Sequence, residues 1–285
     1  MKISRLIVLI TLFVLSFVTV NGVAAEIFEI DNFEQLSTIL RKSSKDDLII
    51  FDVDEVLVYP ENVVQLQVAA NFWEDTMDKI ENRLGKDKRN LLHAAMLAQS
   101  KWALTDNELP ALIHELQANK IKILALTAFW VGKMGEIESV EAWRRDQLKN
   151  YGIDLSLNVL VEKPHFEIKN DFFAIKHPNT LPVYHEGILL TNRHPKGDVI
   201  NAFLRQINFR PKGIIFVDDR ISHIKDLENF CKLSNIPFIG IHDNRIFTKY
   251  NTFNEKIGKF QFDYLEKHRI WLSDADAMDQ MGPKP

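Results

Sequence analysis

Two aspartates one residue apart follow a short apolar run early in the chain. The stretch FDVDE carries Asp52 and Asp54 directly after the apolar residues 48–51. If the strand continues through them, both carboxylates point to the same side, because side chains alternate along a strand. Such a pair alone is more often a turn or a solvated strand end. Two like charges at this spacing repel unless a cation lies between them, so the pair raises the question of a cation site.

Other polar residues stand where later apolar segments end. Thr127 ends IKILALT, Asp218 and Asp219 end GIIFVDD, and Lys196 stands at the start of the amphipathic stretch KGDVINAFLRQIN. In an open parallel sheet, ligands bind at the carboxyl ends of the strands. The sequence therefore predicts one acidic cluster with a hydroxyl group and a lysine at that edge.

The elements that must position these residues are typical of an α/β protein. Four apolar segments have the character of strands buried on both faces, which favours a parallel sheet: residues 48–51, 121–127, 213–219 and 236–242. Helical patterns alternate with them at residues 107–119, 196–208 and 223–235. A longer helical pattern at residues 62–104 separates the first two strands and predicts a helical insertion over the sheet.

The first 25 residues have the features of a secretory signal peptide. Lys2 and Arg5 precede an apolar core at residues 6–20, and small residues lead to a cleavage site after Ala25. The core is shorter than the roughly 20 residues of a membrane-spanning helix, so an uncleaved anchor is the less favoured alternative. We expect an exported protein, periplasmic or secreted, without stable membrane insertion after cleavage.

Composition excludes several classes of partner. The chain is 46% hydrophobic and 26% charged, which is ordinary for a globular protein. Loss of Lys2 and Arg5 with the leader changes the formal net charge from −4 to −6, so no basic surface for nucleic acid is expected. Cys231 is the single cysteine, so an internal disulfide is excluded, and we expect its side chain to be buried. The oligomeric state stays open.

Taken in order, these residues resemble the four motifs of the haloacid dehalogenase superfamily. Asp52 with Asp54 resembles the first motif, Thr127 the second, Lys196 the third, and the FVDDR aspartates the fourth. The resemblance implies a Rossmann-like parallel sheet between helices, formed by residues 26–58 and 107–272. It implies a helical cap at residues 59–106, and we expect residues 273–285 to be a loosely held polar tail.

The resemblance also implies roles for these side chains. Asp52 would be the nucleophile that forms an aspartyl phosphate, and Asp54 would protonate the leaving oxygen and later activate water. Thr127 and Lys196 would bind the phosphoryl group and stabilise its charge. Dehalogenases of the superfamily lack an acid at the position of Asp54, so its presence favours a phosphatase.

A magnesium site is implied by the same resemblance. Mg²⁺ prefers oxygen ligands, which would come from Asp52, the backbone carbonyl of Asp54, and one or both of Asp218 and Asp219. We therefore expect a magnesium-dependent phosphatase that hydrolyses a small phosphomonoester. Two alternatives remain: a binding protein that kept the fold and lost turnover, and, less favoured, a dehalogenase.

Several residues depart from the motifs or stand near them. Glu55 occupies a position where many relatives have glycine. The second motif lacks the arginine often found after it, so Phe129 and Trp130 form either an apolar wall for the substrate or part of the core. We expect the adjacent Arg144 and Arg145 to lie on a solvated helix face, and His194 to lie in an exposed loop.

Overall fold

The computed structural model describes residues 24–158, 160–170, 173 and 181–282. The predicted leader lies outside these residues except for its last two positions. Ala25 begins the first strand and pairs with Phe238, and the Phe238 N–H donates to the Ala24 carbonyl. Within the described part of the chain, no helix combines the length and apolarity needed to cross a bilayer.

An eight-stranded sheet forms the centre of the protein, in the spatial order β1-β10-β9-β2-β5-β8-β7-β6. Its strands are β1 (Ala25–Ile30), β2 (Leu48–Phe51), β5 (Lys122–Thr127), β6 (His165–Glu167), β7 (Val183–His185), β8 (Ile188–Leu190), β9 (Ile214–Asp218) and β10 (Phe238–Asp243). Six neighbouring strands, from β1 to β8, run parallel, and β7 and β6 add antiparallel pairs at one edge. The prediction of a mostly parallel α/β sheet is confirmed.

Helices cover both faces of this sheet. Those that pack on it are α1 (Phe33–Leu40), α4 (Leu109–Ala118), α5 (Val140–Asn150), α6 (Lys196–Gln206) and α7 (Ile221–Ser234). Along β2, Ile49 and Phe51 contact the cluster that includes α1, α4 and α5, whereas Leu48 and Ile50 contact the cluster with α6 and α7. Both faces of β2 are therefore buried, which explains why its sequence is continuously apolar.

A second layer of helices lies against the carboxyl edge of the sheet. It contains α2 (Ala70–Leu84) and α3 (Lys86–Gln99), which are flanked by a two-stranded sheet of β3 (Val58–Pro60) and β4 (Trp102–Leu104). Helix α9 (Glu255–His268) joins them through Phe262 and Leu265, and Trp271 closes the same apolar cluster. This layer therefore contains the predicted helical insertion together with α9, a later helix that lies within the predicted α/β core at residues 107–272.

The polar segment after Leu272 is ordered up to Met281, in contrast to the loose tail expected from its composition. It forms α10 (Asp274–Met281), which follows the short helix α8 (Arg245–Lys249) and α9 in the chain. Ser273 accepts a hydrogen bond from the Asp276 N–H and so caps the helix. The Asp274 carboxylate accepts hydrogen bonds from Gln261 at 2.8 Å and from Asn62 at 3.2 Å. These buried polar partners hold the segment in place.

Candidate functional site

The carboxyl ends of three neighbouring strands bring the predicted residues together. Asp52 follows β2, Thr127 ends β5 and Asp218 ends β9, and these strands are adjacent in the sheet. Lys196, the first residue of α6, reaches between the carboxylates: its Nζ lies 2.9 Å from Asp52 Oδ2 and 2.6 Å from Asp218 Oδ2. All four residues are buried. The sequence order alone therefore located a compact buried ionic cluster.

The lysine is shared unequally between the two carboxylates. Burial raises the pKa of Asp52 to about 6, against the attraction of Lys196 and with added repulsion from Asp218. Burial also acts to raise the pKa of Asp218, but Lys196 and His223 outweigh it and hold that pKa at about 2. Burial acts to lower the pKa of Lys196, but the two aspartates raise it by more. The pKa of Lys196 is therefore higher than usual, and the ammonium group stays charged.

Two further carboxyl groups face this cluster with little compensation. Burial, with repulsion from Asp218 and Asp52, raises the pKa of Asp219 well above its ordinary value, and within the described residues its ion-pair partner is Arg220, whose Nε lies 3.9 Å from Asp219 Oδ2. Burial raises the pKa of Glu55 to about 7. The two groups indicate excess negative charge at this edge of the sheet.

Glu55 has a backbone conformation that ordinarily favours glycine. Its φ of 62° lies in the left-handed region, which costs a side-chain-bearing residue on the order of 1–2 kcal/mol. Its buried carboxylate accepts a hydrogen bond from the Gln67 N–H at 2.6 Å. The side chain thus joins the loop that carries Asp52 and Asp54 to the start of the helical layer, which a glycine at this position would not do.

The described residues include one set of side chains whose donor atoms could share a metal ion: Asp52, Asp218 and His223, with atoms within 4.8 Å of one another. His223 Nδ1 lies 3.2 Å from Asp218 Oδ1. The predicted ligands Asp54 and Asp219 do not contribute side-chain atoms to this set. From the sequence, His223 either supports the ligands of the fourth motif from beside them or simply begins a helix; its position five residues after Asp218, in the first turn of α7, was the available signal.

The charges around this set favour a divalent cation. Among the described residues, Asp52, Asp54, Glu55, Asp218 and Asp219 meet three cationic side chains, those of Lys196, Arg144 and Arg220. With all of these groups ionised, the five carboxylates exceed the three cations by two charges, and Arg193 is a further cation in the cleft lining. The carboxylate-rich donors therefore fit a hard divalent ion, and His223 also suits softer ions of the same charge.

Asp54 is held by an arginine that the sequence analysis placed on a solvated face. Arg144 is fully buried, and its Nη2 lies 2.9 Å and 3.1 Å from the two carboxylate oxygens of Asp54. Asp54 Oδ2 also lies 3.5 Å from Thr127 Oγ1. The expectation of a solvated face is wrong for Arg144, whereas Arg145 is partly exposed and pairs with Asp146 at 2.8 Å.

Aromatic rings explain why Arg144 can be buried. Its guanidinium carbon lies 4.7 Å from the ring centroid of Phe129, 4.9 Å from that of Trp143 and 5.3 Å from that of Trp102. These faces attract a cation and exclude water. Phe129 and Trp102 lie far from Arg144 in sequence, so local periodicity on α5 did not indicate this environment.

A cleft of about 230 Å³ opens above the ionic cluster, between the sheet edge and the helical layer. Phe129 and Trp130 line it, together with Trp73 of α2 and His93 of α3. Phe129 and Trp130 also pack against the main core, as the second of the two alternatives predicts, and their contact with a substrate stays a prediction. His93 is buried, and burial, with Arg89 and Arg193 nearby, lowers its pKa to about 3, which keeps the ring neutral.

Two further sequence predictions concern His194 and Cys231, which are both buried. His194 is buried and its ring centroid lies 4.6 Å from that of Phe173, so the expected exposed loop position is wrong. The loop packs its histidine inward while Arg193 faces the cleft. Cys231 is a free, buried residue of α7, as expected, and burial raises the pKa of its thiol to about 12.

Comparison with known proteins places this chain in a family. Residues 29–278 match the family described as protein of unknown function (DUF2608), and the chain belongs to that family. It is 28% identical over 253 residues to an uncharacterised protein of Rickettsia felis, which covers 85% of this chain and 84% of the relative. Similar relatives occur in Rickettsia conorii, at 26% identity with 84% of each chain covered, and in Rickettsia bellii, at 24% identity with 86% of this chain and 87% of the relative covered.

Proposed function

We propose that this DUF2608 protein is an exported, divalent-metal-dependent phosphatase that hydrolyses a phosphomonoester through an aspartyl-phosphate intermediate. The observation that carries the proposal is the position of Lys196 between Asp52 and Asp218, with Asp52 and Thr127 in the lining of the cleft. The order of these residues resembles the haloacid dehalogenase motifs. On this proposal the parallel sheet is the core of that superfamily and the helical layer is its cap.

Asp52 is the nucleophile in this scheme. The Val53 N–H donates to its Oδ1 at 2.7 Å and Lys196 contacts its Oδ2, so the carboxylate is oriented at the base of the cleft. A carboxylate oxygen forms a bond to phosphorus as the bond between phosphorus and the ester oxygen breaks. Lys196 and Thr127 supply positive charge and a hydroxyl donor for the phosphoryl oxygens.

Asp54 moves the protons in both halves of the reaction. Its carboxyl group gives a proton to the departing alcohol oxygen and then accepts one from the water that attacks the phosphorylated Asp52. This second attack breaks the bond between phosphorus and Asp52 and releases inorganic phosphate. The partial exposure of Asp54, with 35% of its side chain accessible, gives it access to the cleft.

A divalent cation, Mg²⁺ in our proposal, would be held by Asp52 and Asp218, with the carbonyl of Asp54 and with Asp219 or His223 completing the set. When bound, it would withdraw charge from the phosphoryl group and offset repulsion among the carboxylates. Burial and the neighbouring carboxylates raise the pKa of Asp219, and a cation bound beside it would favour the ionised form and be stabilised by its charge.

The cleft walls favour a small ester with an apolar, flat leaving group. Phe129, Trp130 and Trp73 provide ring faces, and neutral His93 adds a polar edge without a charge. Gln65, Glu74 and Arg193 also line the cleft, but hydroxyl groups placed against the rings would lose hydrogen bonds to water that the rings cannot replace. We therefore propose a phosphorylated aromatic or otherwise apolar alcohol as substrate.

The test is release of phosphate from p-nitrophenyl phosphate by the purified protein, in EDTA and with added Mg²⁺. We expect metal-dependent turnover that Asp52→Asn abolishes. Asp46→Asn is a matched control, because Asp46 also pairs with a lysine, Lys212, at 2.6 Å, but is exposed and outside the cleft. Equal turnover in Asp52→Asn and the control would contradict the proposal, as would a lack of turnover with Mg²⁺, Mn²⁺ or Zn²⁺.

A further inference from the structure

We propose that Arg144 is a positioning residue for Asp54, and that it sets the direction from which Asp54 delivers its proton to the leaving group. This inference rests on the proposed phosphatase function and adds to it a residue from α5, outside the four motifs. Both Asp54 oxygens lie within 3.1 Å of one guanidinium nitrogen.

The guanidinium itself has little freedom to move. Its Nη1 donates to the Gln147 side chain at 2.6 Å, and the rings of Phe129, Trp143 and Trp102 surround its central carbon. Because the group is planar and contacts rings as well as a hydrogen-bond acceptor, translation and rotation are both restricted. The side chain is therefore a rigid support built into the wall of the cleft.

Asp54 by contrast has few restraints of its own. It follows the end of β2, its side chain is partly exposed, and among the residues that the structure describes its other side-chain hydrogen-bond partner is the Thr127 hydroxyl at 3.5 Å. Without Arg144 its carboxyl group could adopt other rotamers toward solvent. A proton donor misplaced by about 1 Å can cost on the order of 100-fold in rate.

Burying an arginine also has an energetic cost that a purely structural site could avoid. A buried ion pair is often no more stabilising than an apolar pair of similar volume. Leucine or methionine would fill an aromatic pocket well, yet the chain places a charge there, with the Arg144 Nε lacking a hydrogen-bond partner among the described residues. The contact with Asp54 supplies a reason for that charge.

The test compares two substrates that both carry a ring but differ in their need for a proton. Nitrophenolate leaves readily without protonation, whereas the alkoxide of 2-phenylethyl phosphate requires it. General-acid catalysis contributes roughly 100-fold or more, so Asp54→Asn should reduce kcat/KM by about that factor for the alkyl ester. We expect Arg144→Met to reduce kcat/KM at least about tenfold for the alkyl ester and less than about threefold for the aryl ester.

The adjacent Arg145→Met is the matched control, because this arginine lies on the same helix and pairs with Asp146 outside the cleft. We expect it to leave both substrates unaffected. The Asp54→Asn/Arg144→Met double variant should be no slower on the alkyl ester than Asp54→Asn alone, since the positioning acts through Asp54. Arg144→Lys, which retains a buried cation, provides a second variant should Arg144→Met fail to fold, with the same selective loss expected.

Equal losses on the two substrates would show a merely structural role and overturn the inference, as would additive losses in the double variant. If the wild type turns over both esters but the Arg144 variants show no loss specific to the alkyl ester, the proposed phosphatase function stands and the role of Arg144 is overturned. If the wild type turns over neither ester with any of the three metals, both are overturned.

Discussion

The metal-free protein should lose stability as the pH rises from about 5 to 8. Burial raises the pKa of Asp52 from 3.8 to about 6 and that of Glu55 from 4.5 to about 7. Between the unfolded and folded pKa values, the folded protein binds more protons than the unfolded chain. The stability contributed by these protonated groups is therefore complete below the unfolded pKa values and is lost as the pH rises through the folded ones.

The expected size follows from the part of each shift that lies above pH 5. One pKa unit corresponds to about 1.4 kcal/mol, so Asp52 loses roughly 1.4 kcal/mol and Glu55 roughly 3 kcal/mol between pH 5 and 8. The two carboxyl groups repel one another, so these losses do not simply add, and His93, whose pKa burial lowers from 6.5 to about 3, opposes them with a gain of roughly 2 kcal/mol. A net loss of about 2 kcal/mol lowers Tm by roughly 4–8 °C in a domain of this size.

The assay is thermal unfolding followed by circular dichroism at pH 5 and pH 8, in EDTA and in Mg²⁺. A bound cation replaces the protons as the source of compensating charge, so Mg²⁺ should raise Tm more at pH 8 than at pH 5. Asp52→Asn cannot ionise and should show a smaller Tm difference between the two pH values in EDTA. A Tm in EDTA that rises from pH 5 to 8, or an equal Mg²⁺ effect at both, would refute the reasoning.

Three substitutions test other parts of the site. Lys196→Met leaves the two buried carboxylates without their shared cation and should cost roughly 3–5 kcal/mol in a urea titration, whereas an unchanged midpoint would contradict the ion-pair account. Glu55→Gly relieves the left-handed backbone strain but removes the contact with Gln67. Protease cleavage within the helical layer should therefore accelerate while the sheet stays resistant, and an unchanged cleavage rate would contradict the proposed role of that contact. Trp130→Ala should raise KM for 2-phenylethyl phosphate at least about fivefold, because one ring contact is worth about 1 kcal/mol, and should leave KM for glycerol phosphate unchanged. A similar rise in KM for both esters would contradict the proposed apolar wall.

The ionic cluster was predictable because its information is local. Each strand that delivers a polar residue is a short apolar run, and parallel strands bring their carboxyl ends to one edge. Asp52, Thr127 and Asp218 could therefore be placed together without knowing any distance. Lys196 was predictable because it stands at the start of a clear amphipathic helix.

The environment of Arg144 was not predictable by the same reasoning. The α5 sequence VEAWRRDQLKN reads as polar on most faces, and two adjacent arginines look equivalent. Their difference arises from Trp102 and Phe129, which come from other elements and meet only after folding. Long-range packing of this kind leaves no periodic signal in the helix itself.

The contacts that hold the last helix and that add α9 to the helical layer could not be predicted for a related reason. Composition describes how a segment would interact with water and does not reveal a specific buried partner. Asp274 is held by Gln261 and Asn62, residues from α9 and from the start of the helical layer. Helix α9 likewise meets α2 and α3 across more than 150 residues of intervening chain, as Phe262 and Met77 show.

Direct detection of a phosphorylated aspartate tests the central claim most closely. Enzyme mixed with phosphate-labelled 2-phenylethyl phosphate and quenched in acid within milliseconds should carry label on the peptide that contains Asp52. With labelled p-nitrophenyl phosphate, whose leaving group needs no proton, slower hydrolysis of the intermediate should increase that label in Asp54→Asn, and Asp52→Asn should carry none with either ester. Turnover of the wild type with no label on Asp52, or with label on another residue, would contradict the account.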